Sequence, residues 1–130
     1  MTLNLEREKE FVNQYHYDAR NLEWEKENGA PENNLNVQLQ LLEREEYEKA
    51  GENDTVIATI LQFMLPMENI VISGFLTQVN YVKDATITEQ EQLSQEDMQQ
   101  LAAPLFDLLK RLVLETTEVA LDQPGVQLEF

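Results

Sequence analysis

His16 is the only histidine, and the chain contains no cysteine. A catalytic triad or metal centre built on His16 would need partners at defined spacing, and none stands out, so His16 reads as an ordinary strand histidine. Carboxylates are plentiful, with 25 Asp and Glu against 9 Lys and Arg. Glycoside hydrolysis needs two of them facing each other across a cleft. No strand end singles out such a pair, and acid pairs arise by chance in a chain of this composition. The run Glu43 to Glu48 lacks calcium-loop spacing and reads as a solvated strand end or turn. There is no phosphate loop, no dinucleotide fingerprint and no Gly-x-Ser-x-Gly. The expectation is a protein that is not an enzyme and uses no cofactor or metal. What remains is non-covalent chemistry, and the groups suited to it are apolar and aromatic: Tyr15, Tyr17, Trp24 and Phe75.

Charge narrows the partners. A formal net charge of −16 repels phosphate backbones and anionic lipid, which argues against nucleic acid and membrane. It favours basic partners or cationic segments of unfolded chains, and it also keeps the protein in solution. The absence of cysteine fits a cytoplasmic location. The N-terminus, MTLNLEREKEF, is charged within a few residues and does not resemble a signal peptide. The longest apolar run, Val56 to Leu65, is interrupted by Thr59 and Gln62 and falls short of the roughly 20 residues that span a bilayer. The length of 130 residues suits one domain, 1–130.

Four segments carry the alternation of strands. Glu6 to Asn21 sets Phe11, Asn13, Tyr15, Tyr17 and Ala19 on one side, giving that strand an aromatic face. Leu22 to Asn34 loses the pattern, and Asn28-Gly29-Ala30-Pro31 is turn chemistry. Leu35, Val37, Leu39 and Leu41 alternate with amides. Gly51-Glu52-Asn53-Asp54 turns the chain again. Thr55 to Leu65 is apolar on both faces, which predicts cover on both sides. Pro66 ends it. Asn69 to Val82 is the fourth strand, and Gly74 inside it marks a bulge or a close backbone approach.

The last third is helical. Ser94-Gln95-Glu96-Asp97 has the form of a capping box, with the Ser94 hydroxyl accepting from the Asp97 amide. Pro104 suits the first turn of a helix and not an interior. The expectation is therefore two segments, Gln95 to Ala102 and Pro104 to Leu121, the second about 27 Å long. Its apolar residues fill an arc of about 160°, wider than one sheet contact requires. Leu114 and Leu121 lie outside that arc, on the polar side, which marks them as a candidate oligomer contact. Pro124-Gly125 stops the helix, and Val126, Leu128 and Phe130 form a short extended tail expected to dock.

This order resembles the SecB-like superfamily, the fold of the bacterial export chaperone SecB. Tyr15-His16-Tyr17-Asp18 with Leu22-Glu23 is similar to the run in that chaperone's first strand. Ser73-Gly74-Phe75-Leu76 is similar to its fourth-strand run, and Ala103-Pro104-Leu105-Phe106 with Pro124-Gly125-Val126-Gln127-Leu128 to its end. The chain looks closest to an uncharacterised branch found in Gram-positive bacteria. The resemblance implies an α+β fold with a four-stranded antiparallel Greek-key sheet packed on a proline-broken helix pair. It also implies a homo-oligomer, dimer or tetramer, with a groove for unfolded or extended polypeptide. Asp18 and Glu23 would stand at the acidic face that meets the SecA motor in the chaperone. A shorter crossover and a chain that stops at Phe130 count against that contact and against a full groove. The function expected is a holdase-like polypeptide-binding module, with Tyr15, Tyr17, Trp24 and Phe75 as groove walls. The alternative is a structural or regulatory homo-oligomer without clients.

Overall fold

The computed structural model describes residues 3–130. Five strands form one antiparallel sheet: β1 (Leu5–Arg7), β2 (Phe11–Ala19), β3 (Asn34–Leu42), β4 (Thr55–Pro66) and β5 (Ile70–Val82). The first helix, α1 (Leu22–Asn28), lies in the crossover, and α2 (Gln95–Leu121) follows the sheet. The strand order is β1-β5-β4-β3, with β2 also on β5. Both β1 and β2 pair with β5, Leu5 opposite Val82 and Ala19 opposite Ile70. Counted as one broken edge strand, they give the order of a Greek key. The α+β class follows as expected from sequence, but the sheet has five strands where four were expected. The first splits because the Glu8 carbonyl leaves the ladder and accepts from the Gln78 side-chain amide at 2.8 Å.

The crossover also holds structure that periodicity did not reveal. Asn21 caps α1 by accepting from the Trp24 amide at 3.1 Å, and Glu23 and Glu25 sit in its first turn. Gly29, at φ +96°, ends it. With seven residues and no buried side chain, α1 has no apolar stripe to detect.

A single helix stands where two were expected, correcting the proline-broken pair: α2 runs unbroken for 27 residues, about 40 Å, with Pro104 inside it. Its start is as read, since Ser94 and Asp97 form the reciprocal capping box at 3.1 and 3.0 Å. Proline removes the amide that would bond the carbonyl four residues back, here that of Gln100. Arg7 supplies the missing donor. Its Nη2 reaches the Gln100 carbonyl at 2.7 Å, and its Nη1 lies 3.5 Å from the Leu101 carbonyl. A charged donor from β1 thus lets the helix pass through its own proline. A double-mutant cycle tests this. Arg7→Ala should cost about 1–2 kcal/mol in the wild type. In a Pro104→Ala background, where the alanine amide recovers the Gln100 carbonyl, it should cost about 1 kcal/mol less. Equal costs in both backgrounds would separate Arg7 from the proline.

The core lies between the sheet and α2. Leu61, Phe63, Leu65, Ile70, Ile72 and Leu76 meet Leu105, Leu109 and Val113 in the larger cluster. A smaller one gathers Leu39, Ile57, Val82, Leu93 and Leu101. Buried Thr59, Gln78 and Asn80 are polar, and the Asn80 amide points to the Thr59 hydroxyl at 3.4 Å. The wide apolar arc of α2 also finds its second contact within the chain. Val126 and Leu128 pack back on the core, and Phe130 stacks edge-on to Phe106 at 5.4 Å. The buried Thr117 hydroxyl accepts from the Val126 amide at 2.7 Å and so fixes the tail.

Candidate functional site

The even residues of β5 and the odd residues of β4 point at α2, so their neighbours form the opposite face. At one end that opposite face is closed. The segment between β3 and β4 folds over it, Tyr47 meets Tyr81 edge-on at 6.3 Å, and Val56 and Tyr81 are buried. Asp54 locks this segment, accepting from Lys83 at 2.8 Å, from the Gly51 amide at 2.7 Å and from the Asp84 amide at 2.9 Å. These donors, Lys83 foremost, hold its carboxyl down at about 2. Tyr81 donates to Glu8 at 2.9 Å, and burial first, then that carboxylate, pushes its hydroxyl up to about 12.

Beyond Ala58 the face is open. Ile60 and Met64 on β4, and Val71 and Phe75 on β5, are each half-buried, with no further layer over them among the described residues. This corrects the expectation that Thr55 to Leu65 is covered on both sides. Polar residues border the stripe: Asn34, Asn36 and Gln38 on β3, Gln14, His16 and Asp18 on β2. His16 lies in a shallow depression with Gln14, Gln62, Ser73 and Phe75. Next to the open face, a cleft of about 390 Å³ is lined by Ala19, Trp24, Pro31 and Val71 together with the ion pair Arg20–Glu25. Trp24 is 58% exposed there. Arg20 braces α1 by pairing with Glu25 and by donating to the Met67 carbonyl at 2.6 Å.

The four aromatic residues expected to wall one groove do not come together. Tyr15 and Tyr17 turn toward α2 and pack on the core. The Tyr15 hydroxyl donates to Thr116 at 3.0 Å, its ring tilts against Phe63 at 6.1 Å, and burial raises its pKa. Phe75 lies on the opposite face, and Trp24 lines the cleft beside Val71. Sequence reasoning overlooked Ile60, Met64 and Val71. For Ile60 and Met64 the signal was present in the doubly apolar pattern of β4, in a chain with too little helix to cover two faces. Asp18 and Glu23 are exposed, the first opposite Val71 and the second beside Trp24, and neither forms an ion pair among the described residues. Leu114 is half-buried against Gly125, Gln127 and Leu128 of the tail, so its apolar character has a use within the chain. Leu121 is 39% exposed.

Among the described residues, no three His, Asp or Glu side chains are placed to hold a metal ion. Among the same residues, no helix is long and apolar enough to cross a membrane. The comparison with curated proteins finds no match. Among solved structures, the crystal structure of a protein of unknown function from Streptococcus agalactiae is similar, with 49% identity, 98% of each chain covered and a TM-score of 0.90. A SecB-like chaperone from Mycobacterium tuberculosis, solved in complex with a peptide from an antitoxin, shares the fold at a TM-score of 0.57. That match has 9% identity and covers 97% of this chain and 90% of the other. The model of the family described as protein of unknown function (DUF1149) matches residues 3–130, and the chain belongs to that family.

Proposed function

We propose that this protein is a non-enzymatic polypeptide-binding module that holds extended apolar segments, in the manner of a holdase. The observation that carries the reading is the uncovered apolar stripe Ile60, Met64, Val71 and Phe75, which runs toward the Trp24 cleft. Apolar surface removed from water contributes roughly 25 cal/mol per Å², so such a stripe suits side chains of an unfolded client. The peptide in the complex of the M. tuberculosis chaperone of like fold supports the same role here. Asp18 and Glu23 flank the cleft and favour clients with basic residues near their apolar ones, with an attraction that weakens in salt. No contact with a SecA-type motor is needed for this reading.

The test is suppression of aggregation of a reduced, unfolded model protein at near-stoichiometric ratio, at low and high salt. The wild type should suppress, more strongly at low salt. Trp24→Ala and Phe75→Ala should each weaken capture about tenfold, equivalent to about 1.4 kcal/mol. No suppression by a correctly folded sample at either salt would favour a homo-oligomer without clients. Suppression unchanged by both substitutions would remove the stripe and cleft from the reading.

A further inference from the structure

The tail after α2 sits on the chain in the way a bound peptide would. Residues 125–130 belong to no helix or strand, and among the described residues none of them makes a backbone-to-backbone hydrogen bond. The bond from the Val126 amide to Thr117 ties their backbone down. The rest of the hold comes from side chains at alternate positions. Val126 and Leu128 pack on the core, and Phe130 meets Phe106 edge-on. Lys110 lies over the Phe130 ring, its Nζ 5.2 Å from the ring centre. Phe130 nevertheless stays 52% exposed, and the seat is not full. A depression of about 330 Å³ opens beside it between Phe106, Asp107 and Lys110. Another of about 210 Å³ opens beside Leu128, against Lys110, Arg111 and Leu114. Charge also singles this groove out. In a chain of net charge −16, Lys110 and Arg111 are neighbours, and neither forms an ion pair among the described residues. Asp107 is the one acid that borders the two depressions, so two cations stand there against one carboxylate.

We infer that this groove along α2 is a separate ligand site, filled in cis by the tail and taken by an outside segment of the same pattern when the tail lifts. The ligand class is an extended acidic segment with apolar residues at three alternate positions, the last of them aromatic. Val126-Gln127-Leu128-Glu129-Phe130 is the template for it. The first two apolar positions rest on the core, and the aromatic one fits between Phe106 and Lys110. A segment richer in acid than the tail finds the two cations unpaired, whereas a basic client of the kind proposed for the Trp24 cleft is disfavoured. Because the tail is joined to its seat, it competes at an effective concentration on the order of millimolar. The groove lies on the helix side of the sheet, away from the stripe, so the inference does not rest on capture there.

The test is fluorescence anisotropy with a labelled peptide, Gly-Val-Gln-Leu-Glu-Phe, and the full chain. The wild type should bind it weakly, because its own tail competes. Gly125→Val, which unseats the tail, should bind about tenfold tighter. Phe130→Ala removes only a half-exposed anchor and should bind severalfold tighter, which keeps the test valid if Gly125→Val folds poorly. In either background Lys110→Glu should weaken binding about fivefold, and replacing the peptide's glutamate with lysine should restore it. Equal binding to the wild type and both variants overturns the inference, as does no binding to any of them. Binding that Lys110→Glu leaves unchanged places the peptide elsewhere and also overturns it. A Gly125→Val chain that doubles in mass by sedimentation, and that the peptide does not return to monomer, gives the groove to the tail of a second copy and overturns it as well. None of these outcomes depends on client capture at the stripe.

Discussion

Gly74→Ala is expected to lower the stability of the fold by about 2–5 kcal/mol. Gly74 has φ +150°, and a Cβ placed on it would overlap the Gln14 carbonyl and crowd the Tyr15 Cα. The strained backbone accounts for about 1–3 kcal/mol and the overlap for a similar amount. The contact exists because β2 bulges between Val12 and Gln14, which brings its backbone in over β5. Alanine would force the bulge outward and draw Tyr15 away from Thr116. Urea unfolding should show the midpoint move down, with Ser73→Ala as a near-neutral control. A change below about 0.5 kcal/mol would mean that β2 absorbs the methyl group without cost, and that Gly74 is not what seats the strand.

Gly125→Val should release the C-terminal tail. A Cβ on Gly125 would overlap the Leu114 carbonyl and its side chain. The substitution should therefore lift Val126 from Thr117 and uncover Phe106, Leu114 and the apolar side of Leu128. The lost hydrogen bond and apolar contact together amount to about 2–3 kcal/mol. A dye that reports exposed apolar surface should brighten, and ending the chain after Pro124 should have the same effect on both readouts. If Gly125→Val matches the wild type in stability and dye binding, the tail does not depend on this close approach.

Much of the fold was legible because the apolar alternation of β3, β4 and β5 is strong and each is bounded by turn residues. Gly74 in particular read correctly as a close approach. The interruption at Pro104 was misread because local chemistry says that a proline ends a helix. The compensating donor, Arg7, comes from 97 residues earlier, and no local pattern records it. α1 escaped notice for the opposite reason: its signals are a cap and an acidic first turn, with no buried stripe. For the candidate site, residue types were informative and faces were not. Tyr15 and Phe75 are both aromatic strand residues, yet the bulge and register place them on opposite sides of the sheet. The apolar outer face of β4 was visible in sequence, but whether anything covered it depended on how many layers the chain could build.

The pairing of β1 and β2 with β5 also sets an order of events during synthesis. Of the five strands, the two made first, β1 and β2, have as their partner the last to be made, and Arg7 reaches Gln100, later still. β3, β4 and β5 are sequential neighbours and can associate as they emerge, whereas closing the long loop back to β2 carries the larger entropy cost. The N-terminal strand, with Phe11, Tyr15 and Tyr17, is therefore expected to wait unpaired until most of the chain exists. During that interval the nascent protein exposes an extended apolar segment of its own, the same kind of segment that is proposed above as its client.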